Sequence, residues 1–256
     1  MRRHDADAGG DERVLAAKAA PREKVWGAMS VSGIARFPSP AGRIPNFVGA
    51  EAAAELLAST KEWQRAGTVK SNPDSPQLPV RVQALIDGKL LYMAVPRLAE
   101  RDPFFVLDPE ALADMPRKAA SIKGAGRSAR TIDVDAMEPV DLVVAGCVAV
   151  GKDGARLGKG GGFSDLEFAV AGAAGLVGRS TVVVTTVHDV QVQPAGVIPV
   201  TPHDVRVDLI ATPTRIIRCP RGRRTMPKLD WSQLTEAKIA AIPLLGRLHP
   251  DVAPSA

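Results

Sequence analysis

Residues 142–187 read LVVAGCVAV, GKDGARLGKGGG, FSDLEFAVAGAAGLVG and RSTVVVTTV in succession. The first block, 142–150, is a continuous apolar run rich in valine. A strand with one wet face would alternate apolar and polar residues. This run does not, so it predicts a strand buried on both faces, as in a parallel sheet. The glycine-rich stretch 151–162 predicts a loop. The apolar block after it predicts a helix from about 164 to 178. STVVVTTV, 180–187, predicts a second buried strand. Strand, loop, helix and strand make a βαβ unit, so the fold class is α/β.

Working outward, VDLIAT and TRIIR (207–218) read as the last strands. Upstream, GTVK near 67, VQALI near 82 and LLYMAV near 90 read as short strands. Residues 50–65 are rich in Ala, Leu and Glu and predict a helix. RFPSPAGRIPNFVG, 36–49, holds three prolines and two glycines and predicts a loop. Before it, Val14, Leu15, Val25, Trp26 and Met29 give a helical pattern, interrupted at Pro21. Residues 108–138 are polar and less regular. Residues 1–13 predict a disordered N-terminus, residues 14–218 one α/β domain, and residues 219–256 a basic tail with a short helix at SQLTEAKIAAI.

The chain has 256 residues, 45% hydrophobic and 24% charged, which excludes a disordered polymer. Aromatic residues make up 4%, too sparse for a single-strand stacking platform. The net charge is +5, but from Arg215 to Lys228 there are six basic residues and no acidic one. That stretch accounts for the whole excess, so a nucleic-acid contact, if any, belongs to residues 215–228. The longest apolar runs fall short of the roughly 18 residues a membrane span needs. The N-terminus carries charge with no apolar stretch behind it, so no signal peptide is expected. Cys147 and Cys219 form neither a CxxC pair nor a disulfide framework. A cytoplasmic protein, a monomer or small homo-oligomer away from membranes, is expected.

RLGKGGGFSD, Arg156 to Asp165, follows a buried strand and precedes a helix. Ligands of α/β sheets bind at that position. Glycines let backbone N–H groups approach phosphate, the helix N-terminus adds partial positive charge, and Arg156 and Lys159 add full charges. Asp165 is suited to cap the helix or to hold a divalent cation beside phosphates. The loop has neither Walker A spacing nor GxGxxG. There is no GxSxG elbow. The four histidines lack metal-ligand spacing. His188 at a strand end is expected to bond backbone, and His203-Asp204 reads equally as a cap. Arg43, Asn46, Lys70 and Asn72 are secondary candidates for lining a site.

RLGKGGGFSDLEFA resembles the RLGxGxGYYD loop of 5-formyltetrahydrofolate cyclo-ligases. The resemblance runs over about residues 18–218. RIPNF (43–47), TVKSNPDSPQ (68–77), VPRL (95–98), VVTTVHD (183–189) and TPTRII (212–217) look most like its divergent branch, the methenyltetrahydrofolate synthetase domain-containing proteins. In animal members an RNA-recognition domain can follow. The stretch after Arg218 is too short for one.

The resemblance implies a three-layer α/β/α sandwich with a mostly parallel sheet, binding ATP, Mg²⁺ and a reduced folate. It implies phosphorylation of the N5-formyl oxygen, attack by N10 and loss of phosphate as the 5,10-methenyl bridge forms. Carried over by position, Lys18 and Arg22 are expected to contact ATP phosphates, and Gly158, Gly160, Gly161, Gly162, Phe163 and Ser164 to bind cofactor. Arg156 and Lys159 are the catalytic cations, and Asp165 and Asp204 the metal-linked carboxylates. Phe163-Ser164 stands where the family has Tyr-Tyr, and Gly161 where a basic residue is usual. The alternative is a nucleotide-binding paralogue without cyclo-ligase activity. It would act on another substrate in folate or thiamin salvage, or bind nucleic acid through the tail.

Overall fold

The computed structural model describes residues 13–220, 229–231 and 234–249. Residues 1–12 and 221–228, on which the disordered N-terminus and most of the basic stretch were expected, lie outside the described residues. Residues 13–17 are helical, and after a turn at Lys18 α1 (Ala19–Val31) follows. The interruption expected at Pro21 falls at Lys18, three residues ahead of the proline. Pro21 is the third residue of α1, where its missing N–H has no intrahelical acceptor to lose.

Helix α2 (Ala50–Ala58) buries Ala50, Ala53, Ala54 and Leu57, one face of a 3.6-residue period. The short α3 (Lys61–Arg65) leads into β1 (Thr68–Ser71). The expected strand near 82 is instead α4 (Leu78–Ile86). Its V-R-V-Q alternation mimics a strand. The buried set, however, is Val80, Arg81, Ala84 and Leu85, which is helical spacing, and Pro79 sits in the first turn. Strands β2 (Leu90–Ala94), β3 (Phe104–Leu107) and β4 (Arg130–Ile132) follow, with α5 (Pro116–Ala119) and α6 (Ile122–Ser128) between the last two.

The run 142–150 is not one strand. It divides into β5 (Leu142–Val144) in the main sheet and β6 (Ala149–Gly151) in a second one, parting at Gly146. The expected loop after it contains β7 (Arg156–Leu157), which pairs antiparallel with β6. Then come α7 (Phe163–Ala173), β8 (Val182–Thr186), β9 (Val192–Gln193), β10 (Leu209–Ala211) and β11 (Ile216–Arg218). The C-terminal α8 (Glu236–Ala241) and α9 (Pro243–Leu248) close the described chain.

The main sheet has eight strands in the order β11-β10-β8-β5-β1-β2-β3-β4. The five from β10 to β2 are parallel, and β11, β3 and β4 join antiparallel. Period-two alternation sorts its side chains. Leu142, Val144, Val184 and Leu209 pack toward α2 and α4. Val143, Val183 and Ile210 pack toward α7 and the C-terminal helices. Helices thus cover both faces of a mostly parallel α/β sheet, as expected. A third cluster joins α1 to the small sheet through Trp26, Met29, Phe47, Ala149 and Leu157.

Candidate functional site

Strand β5 stops where β1 also ends, and both lead into loops above the sheet. A cleft of about 470 Å³ opens there. Arg43 to Asn46, Asn72 to Ser75, Val95-Pro96, Ile122 and Gly146 line it together with residues between Arg156 and Glu167. The cleft therefore joins the glycine loop to Gly146 and to four segments well separated from it in sequence.

The glycine loop is shaped by backbone that side chains resist. Gly160 (φ 107°) and Gly162 (φ 67°) are left-handed, and Gly162 is the N-cap of α7. Arg156 is buried at 4% exposure. Its Nη1 donates to Gly146 O at 3.0 Å and its Nη2 to Asp165 Oδ1. Its Nε is buried with no hydrogen-bond partner. Burial opposes the guanidinium charge, but Asp165, with Cys147 and Asp204 behind it, outweighs burial and holds its pKa above the usual value. Asp165 Oδ1 also accepts from Val205 N at 3.1 Å. Lys159, half-exposed, reaches Asp74 at 3.5 Å.

Lys18, Arg22 and Asp204 stand behind this loop. Lys18 Nζ donates to both Asp204 oxygens, at 2.7 and 2.5 Å, and Asp204 Oδ2 accepts from Thr201 N at 2.6 Å. Arg22 Nε donates to Gly158 O at 2.8 Å. Its pKa is lowered by burial, against the pull of Asp204. The structure thus brings together Arg156 with Asp165, Lys18 with Asp204, and Arg22 with the loop. Gly158, Gly161, Gly162, Phe163 and Ser164 line the cleft, whereas Gly160 turns toward Arg22.

The cleft floor is polar. Lys70, on β1, points to the α7 face, and its Nζ donates to Glu167 Oε2 at 2.7 Å. Asn72 Nδ2 donates to the same oxygen at 3.0 Å, and its Oδ1 accepts from Gly146 N at 3.0 Å and Ser164 Oγ at 3.1 Å. Arg81, fully buried, donates to the carbonyls of Ala120, Asn72 and Asp74 and so fixes the loop beneath the cleft. Burial pulls its pKa down to about 10.

Glu167 and Lys238 belong to this region and were not singled out in the sequence. Glu167 reads there as one acid on an apolar helix, and Lys238 lies 79 residues after Lys159 in the tail. His188 caps a 3₁₀ turn through Nδ1, 3.3 Å from Val190 N, and Asp189 pairs with Arg215 at 3.0 Å. His203 lies 3.4 Å from Asp230. Arg218 pairs with Glu62. Among the described residues no group of three or more His, Cys, Asp or Glu converges on a metal position, and no helix is long and apolar enough to cross a membrane.

The sheet, its two helical layers and a cleft lined by a cationic glycine loop define an α/β protein with its candidate site at the ends of parallel strands. A family model, the 5-formyltetrahydrofolate cyclo-ligase family, matches residues 29–213, and the chain belongs to that family. It is 40% identical over 232 residues to the mouse (Mus musculus) "Methenyltetrahydrofolate synthase domain-containing protein", covering 89% of this chain and 62% of the relative. To the human (Homo sapiens) protein of the same name it is 38% identical, covering 89% and 60%. The chain thus spans about 60% of the length of these relatives. A solved structure of "5,10-methenyltetrahydrofolate synthetase" from Aquifex aeolicus superposes with a TM-score of 0.51 at 18% identity, over 81% of this chain and 95% of that one, and shares the fold.

Proposed function

We propose that this chain closes 5-formyltetrahydrofolate to 5,10-methenyltetrahydrofolate with ATP and Mg²⁺. The observation that carries this is one shared cleft: residues 156–165 line it with cations, while Ile44, Pro45, Val95, Pro96 and Phe163 give it apolar surface. The loop fits a phosphate chain. Gly160 and Gly162 let Arg22 and Lys238 approach the loop backbone closely, and the buried Arg156 Nε has no protein acceptor. Mg²⁺ beside phosphates needs only one or two carboxylates. Asp165, on the cleft wall, supplies one, and Asp204 supplies a second only if Lys18 releases it.

ATP, when bound, supplies a phosphoryl group that makes the formyl oxygen a good leaving group. Arg156 and Lys159 hold the negative charge that develops there, and Arg156 does so from a position fixed by Gly146 O and Asp165. Arg22 adds charge at the loop, and Lys18 does so once it releases Asp204. The apolar wall takes the reduced heterocycle and excludes water from it. Glu167, neutralised by Lys70, gives the floor an acceptor for heterocycle N–H groups. The alternative of a nucleotide-binding protein without ring closure rests on Phe163 and Ser164, whose site lacks tyrosine hydroxyls. The test is the rise of 5,10-methenyltetrahydrofolate absorbance on mixing protein, 5-formyltetrahydrofolate, ATP and Mg²⁺. A rise absent in Asp165→Ala supports the reaction. Nucleotide binding with no rise favours the alternative.

A further inference from the structure

The C-terminal segment is not a loose appendage where it is described. Ile242, Leu244 and Leu245 are buried in the core cluster that contains α7, and Leu229, Trp231, Leu234 and Ile239 pack against it. Arg247 pairs with Asp133, and Thr235 Oγ1 caps α8 by accepting from Lys238 N at 3.2 Å. These contacts carry Lys238 to the glycine loop. Its Nζ lies 3.5 Å from Gly161 O and 5.3 Å from the centre of the Phe163 ring. A methyl group placed on Gly162 would meet that Nζ at 3.4 Å.

Arg22 approaches from the other side, its guanidinium carbon 3.8 Å from where a Cβ on Gly160 would stand. Cations from opposite ends of the chain therefore flank the same loop. Lys238 is half-buried, and among the described residues no carboxylate stands within ion-pair distance of it. Its ammonium has three donors and one long contact to a carbonyl. The ammonium, held over the Phe163 ring, keeps donors free for an anion at the loop. We propose that Lys238 is a phosphate-binding residue of the glycine loop, supplied by the C-terminal helix to the polyphosphate of a nucleoside triphosphate. Burial lowers its pKa and Asp165 opposes that; a bound anion would favour the charged form further.

This inference rests on the nucleotide reading above, so the test separates the two. Equilibrium binding of MgATP and of inorganic tripolyphosphate is measured calorimetrically for the full chain, Lys238→Gln and Lys238→Arg, with the melting temperature of each. Loss of one charge-assisted contact weakens both ligands about tenfold in Lys238→Gln, while Lys238→Arg stays within about threefold. The melting temperatures stay close, because a packing role would move stability rather than affinity. Equal binding by the full chain and Lys238→Gln overturns the role of Lys238 and leaves the nucleotide reading standing. No binding of either ligand by the full chain overturns both.

Discussion

Lys70 Nζ and Glu167 Oε2 meet at 2.7 Å beneath the cleft, joining the centre of the sheet to α7. Both side chains are nearly sealed from solvent, at 2% and 7% exposure. A buried pair is costly to break but often neutral to replace whole. Glu167→Ala is therefore expected to lower unfolding free energy by about 3–5 kcal/mol. The double variant Lys70→Met with Glu167→Leu should recover most of that loss. Urea unfolding of the three proteins checks this, and a double variant no more stable than Glu167→Ala would contradict it.

Arg156 reaches Gly146 O and Asp165 with two separate nitrogens, a geometry that lysine cannot reproduce. Arg156→Lys should lower kcat/KM by about 10²–10³. The comparison is steady-state kinetics of the two proteins, each shown to be folded by circular dichroism.

Gly146 forms the floor between Gln77 and Asp74. An added Cβ would stand 2.7 Å from Gln77 Oε1 and 3.2 Å from Asp74 Oδ2. Gly146→Ala is expected to raise KM for the folate more than it lowers kcat, since it narrows the cleft without removing a charge. At Gly154 (φ 83°) the same change meets Val207 O at 2.4 Å, and that variant should lose stability by more than 1 kcal/mol. Kinetics report the first and thermal unfolding the second.

Burial pushes the Cys147 thiol up to about 11 and the Cys219 thiol up to about 12. Unfolded thiols ionise near the ordinary value of 9.0. Between those limits the unfolded state binds fewer protons than the folded one, so stability falls as pH rises above about 9, by about 1.4 kcal/mol per unit for each thiol. Cys147→Ala should show a shallower decline between pH 8 and 10. A thiol reagent at pH 8 should label both cysteines quickly in urea and slowly in the native protein.

Much of the layout was legible in the sequence, and the exceptions have physical reasons. LVVAGCVAV and STVVVTTV declared themselves because strands buried on both faces carry no polar alternation. The same uniformity hid the break at Gly146, where the chain leaves one sheet for another. The segment at 80–86 misled because a short helix can alternate by chance, and only the buried set reveals its period. The glycine loop was legible because positive φ and close approach demand glycine. Glu167 and Lys238 were not, since each gains its meaning from a partner far along the chain, Lys70 in one case and Gly161 in the other.

Ile242, Leu244 and Leu245 bury almost all of their surface against the domain core. Leu245→Ala should cost about 2–5 kcal/mol. A chain ending at residue 228 should unfold at lower urea than the full chain. Unchanged urea midpoints in both would show that the C-terminal helices add nothing to the core.

In the proposed reaction the formyl oxygen of 5-formyltetrahydrofolate meets the nucleotide phosphate at the glycine loop. The most direct test uses substrate carrying ¹⁸O in the formyl group, with ATP and Mg²⁺, and reads the released phosphate by mass spectrometry. Each phosphate should carry one ¹⁸O, in step with methenyl formation. Phosphate released without the label, or no turnover from folded protein, would contradict it.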